Sequence, residues 1–331
     1  MMKPRVLLPL AALAAAWVLS SATAMAEEVE IKLASWGPPS HFVAQARADW
    51  IEEVNEAAAG RVKIVEYPGG QLYDDKDMHN AVARGHVDIG VLLSPRVMGM
   101  VPLLQGVYLP FAFDSLEQVA EVYQGESLDI IEEAMAKRRM KLIYTSFVDG
   151  VQIYSTNKNV ETLEDFENLR VLSTSPMATN IFSRLEASPD SSIPQTEQYM
   201  SLKLGVADAS LNSFVNGYFQ KMHEVAPYLT KIDLSFPTIM VAMNIDKWEA
   251  LPEDVQEIML SAGERMQARS LEEAIAWEEK FMAASAEEGA TVSEFPDAEM
   301  ARVREISSEV WQEWAEENGP EAQRLLELNL Q

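Results

Sequence analysis

The stretch Leu163-Glu-Asp-Phe-Glu-Asn168-Leu169-Arg170-Val171-Leu172, continued through Ala178 to Asn212, decides how this chain is read. An acidic, helix-like turn runs into a short apolar strand, and Arg170 stands where the two meet. A guanidinium fixed on a strand end suits a carboxylate, because its planar fork donates two parallel hydrogen bonds to the two oxygens. Taken alone, the arginine reads more readily as a surface residue paired with Glu164 or Asp165. The rest of the stretch adds a helix-like run over 178–185, then Glu186-Ala187-Ser188-Pro189, then Thr196-Glu197-Gln198-Tyr199, and finally 202–212.

In this order the segment resembles the solute-binding proteins of TRAP transporters, the tripartite ATP-independent periplasmic carriers of organic acids, of the DctP type. That family strings together a strand arginine, an Ala-Ser-Pro turn, a helix opening on Ser or Thr followed by Glu, and a strand ending in Asn. Arg170, Ala187-Ser188-Pro189, Thr196-Glu197 with Tyr199 and Leu202, and Val206 to Asn212 fill those places, and Phe219-Gln220-Lys221 follows. Ile31 to Trp36-Gly-Pro-Pro-Ser40-His41 resembles the family's first strand and ligand loop, and Gly69-Gly-Gln71-Leu72 its next turn. Val87-Asp88-Ile89, Leu109-Pro110-Phe111 and Ser155-Thr-Asn157-Lys158 match further strand ends and turns. Asn244 to Trp248 and Leu251-Pro252 resemble the approach to a long helix.

The resemblance implies an α/β, two-lobed periplasmic binding protein fold, type II-like, with a long helix bridging both lobes. Lobe I is expected over 27–150 plus 237–265, lobe II over 151–236 plus 266–331, and the bridging helix over about 252–288. It also implies a small organic carboxylate enclosed between the lobes, anchored by Arg170 and Asn212. Ser213, Trp36, Gln71, Leu93, Val151, Gln152 and Phe236 are the expected remaining contacts. The implied partners are TRAP membrane subunits, with no cofactor and a monomeric receptor.

Two departures bear on the solute. Many relatives carry a second arginine after a glycine where this chain has Gly150-Val151-Gln152, and sialic-acid binders place a glutamate where it has Leu93. Both changes remove charge, and burying a second carboxylate without a cation costs several kcal/mol. A monocarboxylate with an apolar or aromatic body is therefore expected. Arg47, Arg96 or Lys158 supplies further charge if the motif register is shifted.

The residues support this reading without the family. A length of 331 residues suits one large or two medium domains. Lys3 and Arg5, the apolar run 6–19 and the small residues at 22–26 read as a Sec-type signal peptide over 1–26, giving a periplasmic chain. There is no cysteine, so an exported protein of this size relies on its core alone, and lipid attachment through a cysteine is excluded. The net charge is −26, or −28 without Lys3 and Arg5, which makes nucleic acid an unsuitable partner and requires a local basic site for any anion.

Strands at 28–35, 62–67 and 87–93 alternate with helices at 42–59 and 74–84, a βαβαβ order that predicts a largely parallel sheet. Further strands are expected at 141–146, 151–156, 170–173, 206–210 and 236–244, with hinges near Gly150 and Phe236. From Pro252 to Glu288 the only glycine is Gly263, a candidate bend in a very long helix, and a last helix is expected at 298–317. No G-x-S-x-G, H-E-x-x-H or P-loop pattern occurs, and the four histidines lack metal-ligand spacing, so the chain reads as a binding protein and not an enzyme. The alternatives are a binding protein of an ATP-driven importer, a partner that delivers ligand to a sensor, and an exported enzyme.

Overall fold

In the computed structural model, which describes residues 28–37, 39, 43–173 and 175–330, eleven strands form two sheets. The strands are β1 Val29–Ala34, β2 Val62–Tyr67, β3 Ile89–Leu93, β4 Met140–Phe147, β5 Val151–Ser155, β6 Arg170–Leu172, β7 Ser188–Asp190, β8 Ala209–Ser213, β9 Tyr228–Lys231, β10 Thr238–Asn244 and β11 Thr291–Glu294. The first sheet has the order β2-β1-β3-β10-β4 and the second β11-β9-β5-β8-β6-β7. The expected signal peptide at 1–26 lies outside the described residues, as do Pro38, Ser40 and His41 of the expected ligand loop.

The helices are α1 Ala44–Ala57, α2 Met78–Ala83, α3 Ser94–Val97, α4 Leu116–Val122, α5 Gly125–Ala136, α6 Pro176–Arg184, α7 Gln198–Lys203, α8 Phe214–Phe219, α9 Ile245–Glu249, α10 Glu253–Glu287, α11 Asp297–Asn318 and α12 Pro320–Asn329. Strands β1 and β2 pair in parallel from Val29↔Val62 to Ala34↔Tyr67, as expected for a βαβ unit. The sheet is not wholly parallel, because β10 returns from the second sheet and inserts antiparallel between β3 and β4.

Each sheet is covered on both faces. On the first, Trp50, Val54, Ile64, Val241 and Met259 belong to one apolar cluster. On the second, Tyr154, Leu172, Phe214, Leu229 and Phe281 form another. A third cluster runs through both sheets, joining Phe111 and Phe147 to Phe166, Phe182 and Trp311. Strands β3, β4 and β10 are buried nearly throughout, which explains why they read as nearly continuous apolar runs, whereas β1 and β2 keep exposed positions and alternate.

Helix α10, 35 residues long, packs on β4 and α1 at one end and on α8 and β11 at the other. Gly263 does not break it. A Cβ there would lie 3.0 Å from the Ile143 carbonyl oxygen and from Tyr144 Cβ, so the glycine lets the helix lie close on β4.

One expected strand is corrected. The strand expected at 206–210 begins three residues later, at Ala209, because Gly205 turns with φ +70° and Val206 and Asp208 are engaged by Arg170. Within the span 266–331 expected for lobe II, α12 packs on α11 and also reaches α5 and the turn Pro102–Tyr108, with Asn329 Nδ2 donating to the Gly106 carbonyl at 2.7 Å.

Candidate functional site

In open α/β sheets ligands bind beyond the carboxyl ends of the parallel strands. On the first sheet those ends lead into Ser35-Trp36, the Pro68-Gly69-Gly70-Gln71 turn and Ser94. Gly69 and Gly70, at φ +66° and +72°, let this turn fold back so that their amides donate to the carbonyls of Gly37 and Ser35, both at 2.9 Å. Trp36 is half-buried against the first-sheet core, Leu93 is partly buried there, and Gln71 is exposed.

Two guanidiniums stand at this rim. Arg47, in the first turn of α1, is buried; its Nη2 lies 2.7 Å from Glu66 Oε1, which also accepts the Ser35 hydroxyl at 2.6 Å. Arg96, in α3 directly after β3, donates Nε to Asp75 Oδ2 at 2.7 Å with its side chain 46% exposed. Among the described residues Asp75 is its partner, and the two terminal nitrogens of the fork face no acceptor. Ser94, two residues earlier, accepts the Thr238 amide at 3.1 Å, so α3 sits beside the chain that returns from the second sheet.

On the second sheet the register brings four expected residues together: Val151 stands opposite Ser213 and Gln152 opposite Asn212. Asn212 Oδ1 accepts the Ser213 amide at 3.0 Å and its Nδ2 donates to Gln220 at 3.2 Å, while Ser213 Oγ caps α8 by accepting the Asn216 amide at 3.2 Å. Both are buried. Gln152 is fully buried and already committed, accepting the amides of Ile232 and Asp233 and donating to Asp233 Oδ1 at 2.6 Å. Phe236 is buried beside Gly150, where a Cβ would stand 3.0 Å from its ring.

Arg170 is not brought to Asn212, and the expected pairing of the two on one carboxylate is corrected here. Arg170 opens β6, and parallel pairing of Val171 with Ala209 sets it level with Asp208, four residues before Asn212. At ~3.3 Å per residue that is roughly 13 Å down the strand. Its Nε and Nη2 clamp Asp208 at 2.8 and 2.5 Å, and its Nη1 donates to the carbonyls of Gly205 and Val206 at 2.9 and 3.0 Å. The bidentate geometry read from the sequence is present, but the carboxylate belongs to the chain. The hydrogen bond from Arg170 holds the Asp208 carboxyl below its ordinary range. Lys158 likewise pairs with Asp165.

The sequence reading also missed a buried carboxylate group at the crossing between the sheets. Asp149 is fully buried, with Oδ2 accepting the Val215 amide at 3.1 Å. Glu278 of α10 pairs with Lys231, which lies 3.2 Å from Asp233. The only signal in the chain was an Asp-Gly pair directly after the apolar strand β4, where a turn was the ordinary reading.

The family of bacterial extracellular solute-binding proteins, family 7 (DctP), matches residues 33–318. The C4-dicarboxylate-binding periplasmic protein DctP of Rhodobacter capsulatus is 29% identical over 326 residues, covering 94% of this chain and 95% of its own. Among solved structures, the Bordetella pertussis receptor DctP7, which binds pyroglutamic acid, aligns with TM-score 0.82 at 22% identity over 92% of this chain and 100% of its own. A TRAP periplasmic solute-binding protein of Roseobacter denitrificans with bound β-D-glucuronate aligns with TM-score 0.83 at 22% identity over 91% and 99%.

Proposed function

Since this chain belongs to the family 7 bacterial extracellular solute-binding proteins, we propose that it captures a small monocarboxylate between its two sheets and delivers it to TRAP membrane subunits. The Rhodobacter relative is a periplasmic C4-dicarboxylate binder, and the Bordetella and Roseobacter relatives bind pyroglutamic acid and β-D-glucuronate. Periplasmic residence and delivery as a monomer complete the proposal, with the receptor acting as a carrier and not as an enzyme.

The observation that carries the solute class is Arg96. It projects from the carboxyl end of β3, half exposed, with Nε fixed by Asp75 and the terminal nitrogens of the fork aimed at no acceptor among the described residues. A fork held on one side and open on the other is preorganised for one carboxylate. Arg47 is closed off by Glu66, and Arg170 by Asp208, so neither supplies a second anchor. Trp36 and Leu93, partly buried on the first sheet, leave some apolar surface near Arg96, worth ~25 cal/mol per Å² that a solute covers, while Val151 and Phe236 are buried at the crossing.

These features favour an acid with one carboxylate and an apolar or aromatic body. Relatives bind both kinds of acid: pyroglutamate and glucuronate carry one carboxylate, and the Rhodobacter relative is a C4-dicarboxylate binder. A thermal-shift panel decides between them. A solute at about 100 times its dissociation constant adds ~2.7 kcal/mol of stability. Stabilisation by branched or aromatic monoacids with none by succinate is the expected outcome; preferential stabilisation by succinate overturns the monocarboxylate assignment.

A further inference from the structure

We propose that parting and closing of the two lobes is coupled to the uptake of one proton by the carboxylates Asp149, Asp233 and Glu278, which sit together at the crossing between the sheets. This goes beyond solute capture and rests only on the two-lobed reading of the fold.

Three chain segments pass between the sheets, and each contributes one carboxylate. Asp149 lies in the link from β4 to β5, Asp233 in the return from β9 to β10, and Glu278 on α10, which packs on both sheets. The first two links are laced together, since the Val151 amide donates to the Ser235 carbonyl and the Leu234 amide to the Val151 carbonyl, both at 2.9 Å. Gly150 is the tightest point. A Cβ on it would stand 2.4 Å from Asp233 Oδ1 and 3.0 Å from Gln152 Nε2, so any rotation about this residue moves the carboxylates against one another.

The charges in this group do not balance. Lys231 is the cation among them, 3.2 Å from Asp233 Oδ2 and paired with Glu278. Asp233 Oδ1 is further held by Gln152. Asp149 has no cation partner among the described residues; its Oδ2 takes the Val215 amide, and although the Ser213 hydroxyl and the Phe214 amide also favour its ionised form, neither meets hydrogen-bond geometry at the buried Oδ1. The groups facing it are the Ser213 and Phe214 segment of β8 and α8, the Tyr154 hydroxyl of β5, which donates to the Ser213 carbonyl at 3.3 Å, and Glu278 of α10. Three ionised carboxylates against one ammonium would leave a net charge of two, and burial disfavours it most at Asp149, which is fully buried while Lys231, Asp233 and Glu278 are partly exposed.

The local acidities agree. Burial pushes the Asp149 carboxyl up to about 7, with the Val215 amide opposing and Glu278 reinforcing the rise. Burial and Asp233 raise Glu278, while Lys231 is kept protonated by Asp233 and Glu278 against the opposing effect of burial. A protonated Asp149 fits its fully buried position, with the acid proton on the oxygen that no described residue hydrogen-bonds. An ionised Asp149 gains from water, and water reaches it when the lobes part. Rising pH therefore shifts the population toward the parted state, and one linked proton changes the ratio by at most about tenfold per pH unit.

The chain has no cysteine, so a spin-label pair can be placed cleanly on exposed Glu52 of α1 and Glu167 beside β6 through Glu52→Cys and Glu167→Cys. Interlobe distances are then measured by pulsed electron resonance on the solute-free protein from about pH 5.5 to 8.5, across the Asp149 transition. The expected result is a shift to longer distances with a midpoint near 7, and its disappearance in Asp149→Asn, which holds the short-distance population throughout. Glu278→Gln provides a second variant, expected to move the midpoint down because a neighbouring negative charge is gone. An unchanged wild-type distribution over this range, or an equal shift in Asp149→Asn, overturns the coupling. No solute is added, so a wrong solute assignment leaves this result untouched.

Discussion

The two sheets present their arginines at opposite ends. On the first sheet Arg47 and Arg96 stand beyond the carboxyl ends of β1 to β3, where the chain turns over toward the other sheet. On the second, Arg170 stands at the start of β6 and spends its fork on Asp208 and two carbonyls of the same sheet. Three guanidiniums thus have three fates: Arg47 is closed in by Glu66, Arg170 staples two strands, and the Arg96 terminal nitrogens meet no acceptor among the described residues. The difference teaches that a bidentate arginine signals carboxylate recognition, while its level along the strand decides whose carboxylate it meets.

The sharpest way to break this contrast is Arg96→Ala. Removing one partner of a desolvated charge pair costs ~2–5 kcal/mol of binding, about 30-fold to several thousand-fold. Calorimetry with the solute found by the thermal-shift panel should show that loss with an unchanged melting temperature; affinity within threefold of wild type would move the anchor elsewhere.

Next is the crossing. A folded-state value of about 7 for Asp149 against 3.8 for the free side chain means that the folded protein binds more protons between those values. Its contribution is fully present below the lower value and is lost as pH rises through the upper one, on the order of 4 kcal/mol in all. Melting curves of Asp149→Asn should accordingly lie flatter against pH than those of wild type from about 4 to 7.

On the first sheet, Glu66→Ala leaves Arg47 buried and unpaired and should lower stability by ~3 kcal/mol in urea denaturation, the low end for a broken buried pair because Glu66 is partly solvated. Ser213→Ala removes the cap of α8 and should cost ~1 kcal/mol in the same assay. The smallest effect belongs to Arg170→Ala: its ion pair is half exposed, so solute affinity should stay within threefold and the melting point should fall only slightly. A loss of binding in this variant with the fold intact would reverse the contrast between the two sheets.

The sequence by itself determined the family and the layered α/β architecture, since ordered motifs over most of the chain and apolar runs of strand length need no tertiary knowledge. It also determined the long helix, because a run without proline from Pro252 onward has few other outcomes. It marked Gly263 but not its purpose: the glycine serves a close approach to β4, and the neighbour that demands it lies some 120 residues away in the chain.

The site was legible only in part. Val151, Gln152, Asn212 and Ser213 do meet, because antiparallel pairing of β5 with β8 follows from two apolar strands placed side by side. The level of Arg170 was not legible, because a three-residue strand carries too little pattern to set its register, and β6 is aligned instead by Asp208. Nor could the sequence show that Asp149, Asp233 and Glu278 converge. Separated by 84 and 45 residues along the chain, they become one electrostatic group only when three crossings pass through the same point. Burial and proximity set the acidities of Asp149 and Glu278, and both are properties of the folded chain.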